Sequence, residues 1–252
     1  WDVDAPATLA ELAAAPDHPM HKEMPRIDIV LTYGGGDPVV YGYQAMGAAS
    51  CIPIYNALDP ETHHPVKPDG RFTCDLAFLG NRLPDREARV DDFFFQAAAT
   101  IPTSTFLLGG SGWADKIKPP NVRYIGHVRT ADHNAFNCTP KAVLNISRES
   151  MASNGFSPAT RVFEAAGAGA CIVSDTWTGM DLFLKEGEEV LVARDGKDVA
   201  AIMERLTAEE AAAIGRRARA RILRDHTYDH RAKQVHKLFS NLNPAQPLEA
   251  AE

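Results

Sequence analysis

The chain has 252 residues, 45% of them hydrophobic, enough to bury a core in one or two domains. Its 26 Lys and Arg are outnumbered by 33 Asp and Glu, a net charge of -7, which disfavours a nucleic-acid partner because that binding rests on clustered cations. No apolar run approaches the ~18–20 residues of a membrane span, the four cysteines show no C-x-x-C spacing and no signal peptide is visible, so a cytoplasmic chain with buried free thiols is expected.

Trp1 opens the sequence without a Met, which reads as the middle of a longer protein. A capped helix is expected near Ala7–Ala14, then an apolar strand at Ile27–Leu31. A Tyr33-Gly34-Gly35-Gly36 turn, a helix at Pro38–Met46 and a short strand at Cys51–Tyr55 follow. Two strands are too few for an independent doubly wound sheet. Residues 1–58 therefore read as the C-terminal part of an acceptor-side N-terminal domain whose remaining segment is missing. Proline and histidine crowd residues 59–73, which is linker chemistry.

From Cys74 the punctuation becomes regular. Apolar strands are expected at Leu76–Leu79, Thr105–Leu108, Val122–Ile125, Ala142–Ile146, Cys171–Ser174 and Val190–Ala193. Helical patterns separate them at Arg86–Ala99, Ala131–Asn137, Pro158–Gly167 and Val199–Leu206. This alternation specifies an α/β domain over 74–225, a parallel sheet with helices on both faces. Residues 226–240 read as a C-terminal helix packing back on the N-terminal domain, and 241–252 as a frayed tail.

Ligands of such sheets sit beyond the carboxyl ends of the strands, so the loops there are the candidate site. They contain Gly80, Asn81 and Arg82; Gly109 to Gly112, with Gly110 inside; Gly126, His127 and Val128; and Ser147 to Ser157. Asn145 and Arg148 flank the last of these strand ends. Gly155-Phe156-Ser157-Pro158 reads as a helix start, with Ser157 as N-cap and Pro158 in the first helical position. A helix N-terminus offers unpaired N–H groups to a diphosphate. Thr160 opens the next turn, and Arg161 and Glu164 share one helix face. A guanidinium can clamp phosphate and a carboxylate can accept a ribose diol, although an ordinary surface ion pair has the same spacing.

These residues also carry a family resemblance. Thr160 to Ala165 and Gly167 to Asp175 resemble the donor-binding segment of group 1 glycosyltransferases of the GT-B type, and more narrowly the CgeB-like spore-maturation branch. Asp75 to Asn81, Asn121 to Val128 and His226 to Arg231 are similar to that branch as well, so the likeness covers about residues 74–235. It implies two facing Rossmann-like domains, a nucleoside-diphosphate-sugar as donor substrate, no separate cofactor and an acceptor left unidentified. Glu164 is similar to the second Glu of the E-x7-E motif and would hold the ribose. Phe156 stands where the first Glu belongs, leaving Glu149 or Asn154 as replacements. Gly80, Asn81 and Arg82 would line the diphosphate, and the loop at Gly126 would read the base. Arg161, assisted by Arg148 and Arg82, would stabilise charge on the leaving diphosphate.

No metal is expected. Asp2-Val3-Asp4 spells D-x-D but stands at the chain start with no preceding sheet, although in the resembling family this region borders the cleft, within reach of acceptor. His226 and His230, four apart on a helix, lack a third ligand. Gly109 to Trp113 is no G-x-G-x-x-G, so a nicotinamide dinucleotide is unsupported. A nucleotide-sugar epimerase or hydrolase and a non-catalytic sugar-nucleotide-binding module remain the competing classes.

Overall fold

A computed structural model describes residues 1–242, and the expected tail lies largely outside these described residues. The first 58 residues form α1 (Ala5–Ala14), α2 (Met20–Glu23), β1 (Val30–Thr32), α3 (Gly36–Ala45) and β2 (Cys51–Pro53). β1 and β2 pair in parallel, Val30 opposite Cys51, and a one-residue bridge adds Asp2 beside Thr32. Met24, Val39 and Tyr43 fill a small separate core beneath them. The two expected strands are present, each shifted or shortened by a few residues.

The larger unit follows an extended stretch and a 3-10 turn at Gly70–Phe72. It contains β3 (Leu76–Leu79), α4 (Pro84–Val90), α5 (Gln96–Thr100), β4 (Phe106–Gly109), β5 (Val122–Gly126), α6 (His133–Cys138) and β6 (Ala142–Asn145). After these come α7 (Glu149–Asn154), α8 (Thr160–Gly167), β7 (Ile172–Asp175), β8 (Leu191–Ala193), α9 (Gly196–Arg205), α10 (Ala208–Asp225) and α11 (Tyr228–Leu242). A π-helical turn at Asp91–Phe95 joins α4 to α5 and buries Phe93, Phe94 and Phe95. The six strands are all parallel in the order β5-β4-β3-β6-β7-β8.

Side chains of successive strand residues go to opposite faces, and the core divides accordingly. Leu76 and Phe78 join one apolar cluster, Ala77 and Leu79 the other. Both faces being covered explains why the strands read as unbroken apolar runs. The chain winds outward from β3 to β5, then restarts at β6 on the other side. β3 and β6 are therefore the switch point, where ligands of such sheets sit, and their pairing runs only from Leu76–Ala142 to Ala77–Val143, short of both carboxyl ends.

Three sequence expectations need correction. α8 begins at Thr160 with Ala159 as N-cap, because Gly155 and Phe156 take positive φ (72° and 49°) and turn Ser157 inward. The Ser157 hydroxyl donates to the Gly155 carbonyl (3.0 Å) and does not cap the helix. His226 and His230 do not share a helix, since α11 starts at Tyr228. His226 Nδ1 accepts from Arg231, while His230 Nδ1 meets the Thr227 hydroxyl. The stretch from Ser147 to Ser157, read as loop, holds α7, and residues 208–225 form a long helix opened by a Thr207–Glu210 capping box. The chain then returns to its first part: Leu58 N donates to His226 O (2.8 Å), and Arg231 Nε reaches Tyr55 O (2.9 Å).

Candidate functional site

A cavity of about 530 Å³ opens at the switch point. Arg86 enters from the first turn of α4, Asn145, Ser147 and Arg148 from the end of β6, and Thr160, Arg161 and Glu164 from α8. The N-terminal segment closes one wall with Val3 and Asp4. Five expected residues thus meet in one space: Asn145, Arg148, Thr160, Arg161 and Glu164.

Arg161 and Glu164 do not pair with each other. Among the described residues Arg161 makes no ion pair, and its guanidinium lies over the Phe78 ring, 5.6 Å from the centroid. Glu164 has His63 Nε2 at 3.8 Å instead. Burial pushes the Arg161 pKa down to about 10, and the neighbouring Arg86 cation adds to the effect while Glu164 opposes it. Arg86 is lowered too, by burial first, and its Nε is buried without a partner. Two guanidiniums held in a partly desolvated space without a carboxylate in ion-pair contact are costly unless an anion joins them.

Helix geometry sharpens this. Arg86 and Arg161 both lie in the first turn of a helix, the positive end of the dipole, where a cation is disfavoured. The backbone N–H groups of Thr160 and Arg161 find no acceptor among the described residues. No side chain caps α8. Converging N–H groups and unpaired guanidiniums form a pocket for a doubly or triply charged anion.

Around it the supports are well bonded. Asp175 is fully buried at the end of β7 and accepts from Arg89 (2.8 Å) and from Ser147 N (2.8 Å). Burial raises its pKa, and the Arg89 and Ser147 contacts oppose that rise. Asn145 Nδ2 donates to Ser174 Oγ (3.0 Å), while its Oδ1 is buried and unpartnered. Gly80 follows β3, and a Cβ there would lie 2.6 Å from Arg86 Nη1 and 2.9 Å from the Phe78 ring, so the missing side chain leaves room for that guanidinium and ring. Gly110, at φ +117°, would place a Cβ 2.2 Å from the Gly80 carbonyl. Asn81 Oδ1 accepts from Ser111 N and shapes the same pair of loops.

The other expected residues lie elsewhere. Arg82 turns away and binds Glu87 (2.7 Å) and Asp115 (3.1 Å). Gly126, at φ +70°, faces open space, and His127 and Val128 line a separate cavity of about 270 Å³ with Arg71 and Arg123. Glu149 pairs with Arg89, and the Asn154 amide donates to Gly35 O (3.3 Å), so neither lines the main cavity. Phe156 fits against Gly36 and Gly179, where a Cβ would clash with its ring. Arg86 was missed by the sequence reading. The available signal was an arginine in the first turn of a helix that starts at Pro84, against the dipole. No three His, Cys, Asp or Glu side chains of the described residues converge as a metal ligand set. No helix among them is long and apolar enough to cross a membrane.

Comparison with known proteins places this geometry. HepE of Anabaena, solved with UDP and glucose, superposes with a TM-score of 0.68 at 15% identity, over 92% of this chain and 67% of that one. Sucrose-phosphate synthase of Thermosynechococcus elongatus gives 0.69 at 14%, over 90% of this chain and 61% of that one. A glycosyltransferase of Rickettsia africae gives 0.64 at 8%, covering 94% and 68%. The chain thus spans roughly two thirds of these structures, and at such identities the likeness shows the shared GT-B fold. A sequence search of curated proteins finds no match. The family profile described as Glycosyl transferase-like matches residues 86–237, more than half of the sequence, and the chain accordingly belongs to that family.

Proposed function

We propose that this chain binds a nucleoside-diphosphate-sugar and transfers its sugar, a hexose or similar, to an acceptor, as a cytoplasmic GT-B glycosyltransferase of the CgeB-like branch. One observation carries the reading: Arg86 and Arg161, free of carboxylate partners, meet the open N-terminus of α8 in a single cavity. A diphosphate supplies the missing negative charge. Residues 74–225 are the donor domain in this reading, and residues 1–58 contribute the acceptor-side wall.

Breaking the bond between the sugar and the diphosphate leaves negative charge on phosphate oxygens. Fixed donors aimed at that charge stabilise the transition state more than the ground state. Arg86, Arg161 and the Thr160 and Arg161 N–H groups are such donors, and they act without a divalent ion. Glu164, beside the partly buried His63, accepts the ribose hydroxyls. Gly126, His127 and Val128 lie toward the base. HepE was solved with UDP and glucose, which makes uridine nucleotides the first donors to test.

The test is calorimetric titration of wild type and Arg86→Ala with UDP and with uridine. UDP affinity should fall ~10-fold or more, in line with ~1.5–3 kcal/mol for a charge-assisted contact, while uridine binds as before. A protein that melts and binds identically after Arg86→Ala has no diphosphate site here. Sugar release from UDP-glucose with water alone, unaffected by any acceptor, would favour a hydrolase. Tight binding without turnover would favour a non-catalytic module.

A further inference from the structure

Three arginines and two carboxylates line the cavity. Asp4 Oδ2 accepts from Arg148 Nη1 at 3.0 Å, and Arg148 Nε donates to Asp85 at 2.6 Å. Arg148, Arg86, Arg161 and Glu164 line the same cavity as Asp4. Among the described residues, Asp4 and Glu164 are the two carboxylates on the cavity wall. They share it with Arg148 and with the unpaired guanidiniums of Arg86 and Arg161. A nucleoside-diphosphate-sugar carries the complementary groups: ribose hydroxyls and sugar hydroxyls on either side of a diphosphate.

With Glu164 at the ribose end, the other carboxylate faces the sugar. We propose that Asp4 recognises hydroxyls of the donor's sugar, held in place by the Arg148–Asp85 pair. This rests on the donor-site reading above and assigns to Arg148 a positioning role: both arms of its guanidinium are engaged by carboxylates. Asp4 is suited to the task. One oxygen is anchored by Arg148, and Oδ1 carries no hydrogen bond among the described residues. A carboxylate accepts only, and Oδ1, on a half-exposed side chain at the cavity, can take a ligand hydroxyl or N–H in place of water.

The backbone beneath Asp4 is fixed. Its N–H donates to Asp2 Oδ1 (2.9 Å), and Asp2 is itself bound by the Thr8 hydroxyl (3.0 Å) and the Tyr43 hydroxyl. Such backing holds a recognition group in its productive position. The side chains that could have competed are withdrawn, Glu149 to Arg89 and Asn154 to Gly35. A simple interlobe salt bridge would be worth only ~0–1 kcal/mol at this exposure, and it would give no preference between ligands with and without a sugar.

The experiment uses two probe pairs, UDP with UDP-glucose and GDP with GDP-mannose, titrated into wild type, Asp4→Asn and Asp85→Asn. In wild type the sugar nucleotide of one pair should bind tighter than its diphosphate. Asp4→Asn should erase that preference, weakening the sugar nucleotide about tenfold. The bare diphosphate should hold or tighten, because Arg148 is released toward phosphate. Asp85→Asn, which keeps Asp4 but loosens its support, should move the sugar nucleotide in the same direction by a smaller factor. Equal weakening of both members of a pair, or no change in either, overturns the assignment and leaves the donor site standing. Failure of all four probes to bind wild type overturns the donor site and this assignment together.

Discussion

Replacing Arg161 with methionine should stabilise the empty protein while crippling its binding. The side chain sits over Phe78 without an ion pair, and its pKa has fallen from the ordinary arginine range above 12 to about 10. At about 1.4 kcal/mol per pH unit, keeping that charge at neutral pH costs on the order of 3 kcal/mol. Residual contact with solvent reduces the cost to roughly half. Methionine removes the charge, fills similar volume and keeps a sulfur–aromatic contact of ~0.3–1.5 kcal/mol in place of the cation–π contact. The net gain is about 1 kcal/mol, or ~2–4 °C in melting temperature for a chain of this size. The sign follows from the linkage: the folded-state pKa is depressed for a cation, so the penalty is full below pH ~10 and fades as pH rises above it. Differential scanning calorimetry without ligand, and titration with UDP, measure the two halves. A variant that melts lower than wild type and still binds UDP equally well would show that the guanidinium is structural and that no diphosphate meets it.

Glu164→Gln should weaken uridine and UDP by similar factors, because the shared ribose is the part affected, with melting temperature unchanged since its one close basic side chain among the described residues is His63, at 3.8 Å; parallel titrations and melts decide it. Gly80→Ala should lose UDP affinity because the new Cβ displaces the end of Arg86, and should also lower the melting temperature by several degrees because it meets the buried Phe78 ring at 2.9 Å; titration and melts check both. Gly110→Ala should instead cost ~3 kcal/mol or more in urea unfolding, since φ is +117° and the clash is with backbone. His226, buried against Phe183 and beside Arg231, has a pKa of about 4, lowered by burial and then by Arg231. It folds neutral, so its contribution is intact above pH ~6.5 and is lost as pH falls to about 4, on the order of 2–3 kcal/mol. Urea midpoints of wild type and His226→Phe between pH 4 and 7 should converge differently if this holds, with the variant flatter.

Much of the donor domain was legible from local pattern alone. Leu76–Leu79 is a strand to the residue, because four apolar side chains covered on both faces leave no other period to read. The helix holding Arg161 and Glu164 follows from Val162, Phe163 and Ala166 sharing its buried side. The long helix at Ala208–Asp225 was not expected despite its capping box, its buried stripe being thin and mostly of small residues, with Ile214 and Ile222 its two large apolar side chains.

Sequence by itself determined the periodicities, the strand ends and hence the loops in which a ligand site had to lie, since these depend on groups a few residues apart. Only the tertiary structure decided which arginines are free. Arg82 and Arg86 are four residues apart in one loop and helix start, yet Arg82 is taken by Glu87 and Asp115 while Arg86 is left unpaired at the switch point. Asp4 reaches Arg148 across 144 residues, and Phe156 is drawn off the cavity by Gly36 and Gly179. Ion pairing and close approach are set by through-space distance and burial, and neither is encoded in the local spacing of residue types.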